Sequence, residues 1–120
     1  MKTYIGQLTE VSATAVQQGT PDFEGRVERQ IGKRVAMTQF CVNHLTLHPG
    51  AMSSRRHWHE GEDEFVYVLS GVVTLCDESG DHQIGARQYV DSIPVRWARR
   101  AFGRKSDIFG GSNSWIVSNR

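Results

Sequence analysis

The stretch that decides the fold is Pro49-Gly50-Ala51-Met52-Ser53-Ser54-Arg55-Arg56-His57-Trp58-His59-Glu60-Gly61-Glu62-Asp63-Glu64-Phe65-Val66-Tyr67-Val68-Leu69-Ser70-Gly71. Pro-Gly is a strong turn signal, and Glu64-Phe65-Val66-Tyr67-Val68-Leu69 reads as a strand. Residues two apart on a strand point to the same face, so His57 and His59 aim their imidazoles the same way, with roughly 6–7 Å between their Cα atoms. That spacing suits two nitrogens converging on one ion at about 2.1 Å. Glu64 lies across a four-residue acidic loop, Glu60 to Asp63, and begins the next strand. Its same-face neighbours are Val66 and Val68, which fit a barrel interior. A carboxylate on such a face is costly unless it is paired or coordinates a metal. Two imidazoles and one carboxylate form a facial donor set that leaves positions open for water, oxygen or substrate.

Outward from this stretch the texture stays strand-like. Thr38 to Leu47 is rich in β-formers and stops at His48-Pro49-Gly50. Gly71 turns the chain after the Glu64 strand, Val72 to Cys76 returns it, and Asp77-Glu78-Ser79-Gly80-Asp81 turns it again. Short strands at this spacing predict an all-β fold, a sandwich or small antiparallel barrel. Residues 1–25 carry no clear period and read as an N-terminal arm with one short strand; residues 26–120 read as the barrel.

The frame Pro-Gly, six residues, His-x-His, four residues, Glu, six residues, Gly resembles the first conserved motif of the cupin superfamily. The flanking text, Leu47-His48-Pro49-Gly50-Ala51 and Glu62 to Gly71, is similar to that of small single-domain bacterial cupins, and the resemblance covers roughly residues 26–85. It implies a double-stranded β-helix of jelly-roll (RmlC-like) type. It also implies a divalent metal, one of Fe, Mn, Ni or Zn, held inside the barrel by His57, His59 and Glu64, and commonly a homodimer. Dioxygenation, decarboxylation and sugar isomerisation all occur in the family. A non-catalytic barrel that binds or senses a small molecule is the other reading.

The chain departs from the family's second motif. Gly85 could open it and Pro94 could stand for its proline, but no His follows His82, so the fourth protein ligand is missing from its place. His44 and His82 are the substitutes available. From about residue 86 the text is atypical: Arg87, Arg96, Arg99, Arg100, Arg104 and Lys105 face only Asp91 among acids between positions 86 and 105. A solvated basic face accounts for this better than a nucleic-acid patch. A shifted reading frame is a further expectation for this tail, since codons allowed for Ala101 to Lys105, read one nucleotide later, permit His-Leu-Val-Glu. On that reading the final strands would pair poorly.

Composition bounds the rest. The 120 residues are 38% hydrophobic and 22% charged, enough for one packed core. A formal net charge of +1 gives no global pull toward nucleic acid or anionic membrane. No apolar run approaches the ~20 residues of a membrane span, and the first residues lack the apolar core of a signal peptide, so the expected compartment is the cytoplasm. Cys41 and Cys76 sit in apolar runs and are expected to be buried free thiols.

Overall fold

The computed structural model describes residues 3–14, 25–52, 64–77, 79–92, 107–111 and 114–118. Among these are nine strands: β1 (Ala13–Thr14), β2 (Arg26–Arg29), β3 (Asn43–Leu47), β4 (Glu64–Ser70), β5 (Val72–Asp77), β6 (Gly80–Gly85), β7 (Tyr89–Ser92), β8 (Asp107–Gly110) and β9 (Ser114–Ser118). A 3-10 turn covers Leu8–Glu10, and a single helical turn, α1, covers Ile31–Arg34.

The strands form a six-stranded sheet, β1-β2-β3-β9-β4-β7, and a three-stranded sheet, β6-β5-β8. Every pairing is antiparallel. The period of two in the sequence becomes a two-faced sheet. On β4, Val66 and Val68 are buried while Phe65 and Leu69 are exposed. Leu45 and Leu47 of β3, Val66 and Val68 of β4, Val73 and Leu75 of β5, Ile108 of β8 and Ile116 of β9 join Ala51 in one core between the sheets. Burying each such aliphatic side chain contributes roughly 1.5–3 kcal/mol. This is the antiparallel jelly roll that the sequence predicts.

The turns follow their chemistry. Gly71, alone between β4 and β5, has φ +77°, a left-handed conformation that costs glycine nothing and an L side chain about 1–2 kcal/mol. The β5–β6 hairpin closes where Asp77 pairs with Gly80.

Three expectations need correction. The β-former run from Thr38 does not extend as a strand to Leu47; pairing begins at Asn43. The preceding residues run back past α1, where the Gly32 amide donates to the Val42 carbonyl at 2.9 Å, so that carbonyl is taken by the helical turn. Cys41, on this segment, is exposed rather than buried, and Cys76 is half-buried; the two are not joined in a disulfide. The tail is not poorly paired. β9 lies between β3 and β4, and β8 flanks β5. Ile108 and Ile116 are 2% and 1% exposed, so β8 and β9 complete both sheets. Of the basic stretch, Arg87 is described and exposed; Arg96, Arg99, Arg100, Arg104 and Lys105 lie outside the described residues, as does Pro94. Among the described residues no helix is long and apolar enough to cross a membrane.

Candidate functional site

Glu64 is the first residue of β4, with its backbone opposite Ser92 of β7. It stands two positions before Val66 and four before Val68, both core residues. The neighbours expected to face the interior therefore do so. His57 and His59 lie outside the described residues. Among the described residues there is no group of three His, Cys, Asp or Glu able to hold a metal ion.

The described chain does fix both ends of the segment that carries the two histidines. On the upstream side, β3 ends at Leu47 and the chain turns through His48 to Ala51, with the Ala51 amide donating to the His48 carbonyl at 2.9 Å. β8 holds this turn from the other sheet: the Gly50 amide donates to the Gly110 carbonyl at 2.7 Å, and the Gly110 amide donates to the Ala51 carbonyl at 2.9 Å. Ala51 is 2% exposed, so the segment leaves from a buried anchor. On the downstream side the chain re-enters at Glu64, paired with Ser92 of β7, and pairing with β9 begins two residues later at Val66.

Neither substitute for the missing fourth ligand qualifies. His44 alternates with Leu45, so it lies on the side of β3 away from the core, against Trp115 of β9 (ring centroids 5.8 Å apart, edge to face). His82 is exposed on β6, where its Nε2 shares a 2.8 Å hydrogen bond with the Ser79 hydroxyl. His44 is itself unusual. It is 6% exposed, its Nδ1 has no hydrogen-bond partner, and Arg29 is its register partner on β2. Burial first, and then the Arg29 guanidinium, hold the imidazole below its ordinary pKa of 6.5.

The core-facing side of the six-stranded sheet is not uniformly apolar. Asn43, Ser114 and Ser118 are buried on it, alternating with Leu45 and Ile116. Arg26 and Glu28 pair in register with Leu47 and Leu45 and form a 2.9 Å ion pair that is largely shielded from solvent. The sequence reading passed over these residues. The signal was present in Ser114-Trp115-Ile116-Val117-Ser118, whose alternate positions are small and polar on the side shared with Ile116.

Two antiparallel sheets around one shared core, with a Pro-Gly turn before the His-bearing segment and a glycine turn after the Glu64 strand, fit a cupin-type jelly-roll fold. Comparison with known proteins agrees. The Cupin_2 family (Cupin domain) matches residues 43–90. Among solved structures, the fold is similar to a sugar phosphate isomerase of the cupin superfamily from Silicibacter pomeroyi. That protein is 24% identical over 95% of this chain and 74% of its own, with a TM-score of 0.77. The polyketide cyclase RemF from Streptomyces resistomycificus is 19% identical over 98% of this chain and 78% of its own, with a TM-score of 0.72. A predicted oxalate decarboxylase from Thermotoga maritima is 18% identical over 96% of this chain and 94% of its own, with a TM-score of 0.69. At these identities the likeness carries the fold. No curated protein matches the sequence. The chain therefore has a cupin-type fold, and its residues 43–90 are similar to the Cupin_2 family.

Proposed function

We propose that His57, His59 and Glu64 hold one divalent cation, Fe, Mn, Ni or Zn, in the barrel, and that the protein acts there on a small organic substrate. The observation that carries this reading is the place of Glu64. It is an ionisable residue on the strand that supplies Val66 and Val68 to the core, and it has the parity of both. The donor chemistry fits a divalent cation, since two neutral imidazoles and a carboxylate supply nitrogen and oxygen ligands with room left for exchangeable positions. A bound cation would supply Lewis acidity or oxygen activation. The chain's own part is to hold the donors rigidly, through the turn clamped by Gly110 on one side and the paired start of β4 on the other. Support also comes from the activities named for similar folds, an isomerase, a cyclase and a predicted decarboxylase, each a reaction of a small organic molecule.

Elemental analysis of the purified protein tests the reading. Near-stoichiometric metal in the wild type, lost in His57→Ala, supports it. Metal content that His57→Ala leaves unchanged contradicts it.

A second reading, a barrel that binds a small molecule without turnover, is favoured by the lack of any His after His82. Tight metabolite binding with no product formed would select it. A homodimer is proposed with either reading. Its contact would be the outer face of the six-stranded sheet, where Phe65, Leu69, Tyr89 and Trp115 are all exposed, with Phe65 and Tyr89 stacked at 6.0 Å. Sedimentation of the wild type against Trp115→Asp checks it.

A further inference from the structure

His44 is a buried titratable group that the proposed metal chemistry does not use. It lies on the side of β3 away from the core, 6% exposed, and its Nδ1 has no hydrogen-bond partner. From β2, Arg29 stands opposite it in register and brings a positive charge. From β9, Val117 stands opposite it and the Trp115 ring meets it edge to face, neither of them charged. α1, joined to the start of β3 where Gly32 bonds Val42, carries Lys33 and Arg34, both exposed. The acid of the N-terminal arm, Glu10, is also exposed. A protonated imidazole carries N–H donors at both nitrogens. Charging His44 in place would set a buried cation beside a guanidinium and leave its Nδ1–H unpaired, and both are costly.

Arg29 also holds the N-terminal arm, residues 3–14. Its guanidinium donates to the carbonyl of Val11, which at 9% exposure is the buried residue of the arm. Two residues on, Ala13 and Thr14 form β1, which closes the edge of the six-stranded sheet against Arg29 and Glu28. The Thr14 hydroxyl adds a bond to the Glu28 carbonyl at 3.1 Å. A pairing of two exposed residues is marginal by itself, so Val11 and its Arg29 clasp carry much of the arm's attachment. One guanidinium serves two neighbours, the arm's carbonyl and the imidazole across the strand.

We propose that residues 3–14 are a pH-gated strap: neutral His44 leaves Arg29 clasped on Val11, and protonated His44 drives Arg29 off, freeing the strap from the β2 edge. Of the two cations, the imidazole is fixed on β3, between β2 and β9, whereas Arg29 is a long side chain beside the sheet edge. Arg29 is the one that moves, and its departure breaks the bond to Val11. Burial and Arg29 hold the docked imidazole below its ordinary pKa of 6.5. The docked state binds the proton more weakly than the released state, so by linkage a falling pH favours release. Release bares the β2 edge, a row of backbone groups open to pairing with another strand. None of these groups is a proposed metal ligand.

Hydrogen exchange of the full chain, read by mass spectrometry at pH 7.5 and 5.5 and corrected for the intrinsic rate at each pH, tests the gate. Residues 8–14 should be less protected than β9 at both pH values, the mark of an opening that leaves the barrel folded. Their protection should fall by up to about tenfold at pH 5.5, the excess of protonated over neutral imidazole at a pKa of 6.5. His44→Gln should keep the strap protected and remove the fall; His44→Phe should do the same, and either variant suffices if the other does not fold. Arg29→Met should leave residues 8–14 weakly protected already at pH 7.5, with β9 still protected. A strap that exchanges only as fast as β9, a fall of equal size in the His44 variants, or wild-type protection in Arg29→Met overturns the proposal.

Discussion

Gly110 of β8 lies so close to His48 that a Cβ at position 110 would overlap the His48 carbonyl oxygen and come within 3.0 Å of its carbonyl carbon. This contact locks the second sheet onto the turn from which the His57–His59 segment departs. The obstacle is backbone, which cannot swing aside as a side chain can.

Gly110→Ala should therefore destabilise the fold by about 1–3 kcal/mol, the usual cost of forcing extra atoms into a packed site. Urea denaturation measures it. A midpoint equal to the wild type would mean that the turn is not held by β8.

His44 makes stability depend on pH. Its folded pKa lies below its unfolded value, so the unfolded chain binds the proton more readily. The stabilisation is complete above about 6.5 and is lost as the pH falls from there down through the lowered folded value. The groups facing His44 are Arg29 from β2, which opposes its charging, and Val117 and Trp115 from β9, which carry none. Comparing urea midpoints at pH 7.5 and 5.5, His44→Phe should lose less stability on acidification than the wild type. Equal losses would remove His44 as the cause.

The last strands are tested by Ile116→Ala. Ile116 is 1% exposed between β3 and β4, so removing its side chain should cost about 2–5 kcal/mol. A tail that did not complete the barrel would show almost no change.

The two thiols should differ in rate. Cys41 is exposed and Cys76 half-buried, so in the native protein an aromatic disulfide reagent should modify Cys41 first and Cys76 slowly, with both equal in denaturant. Equal rates in the native protein would contradict their placement.

What could be read in advance depended on range. β4, the Gly71 turn, β5 and the following hairpin were legible because alternation and turn residues are local properties. The start of β3 was not, because the carbonyl of Val42 is taken by the amide of Gly32 in α1, ten residues upstream. The insertion of β9 between β3 and β4 was also illegible: the Asn43–Ser118 pairing joins residues far apart in sequence and leaves no local trace. At the proposed site, His57, His59 and Glu64 and their spacing are visible in the sequence. The alternation of Ser114, Ile116 and Ser118 is also local, but the pairing that sets Ser118 opposite Asn43 is not.

The most direct measurement is an anomalous difference map from a crystal of the metal-loaded protein. The account predicts a single peak about 2.0–2.2 Å from a carboxylate oxygen of Glu64 and from one nitrogen each of His57 and His59. A peak elsewhere, or none, with those three side chains turned apart, would contradict it.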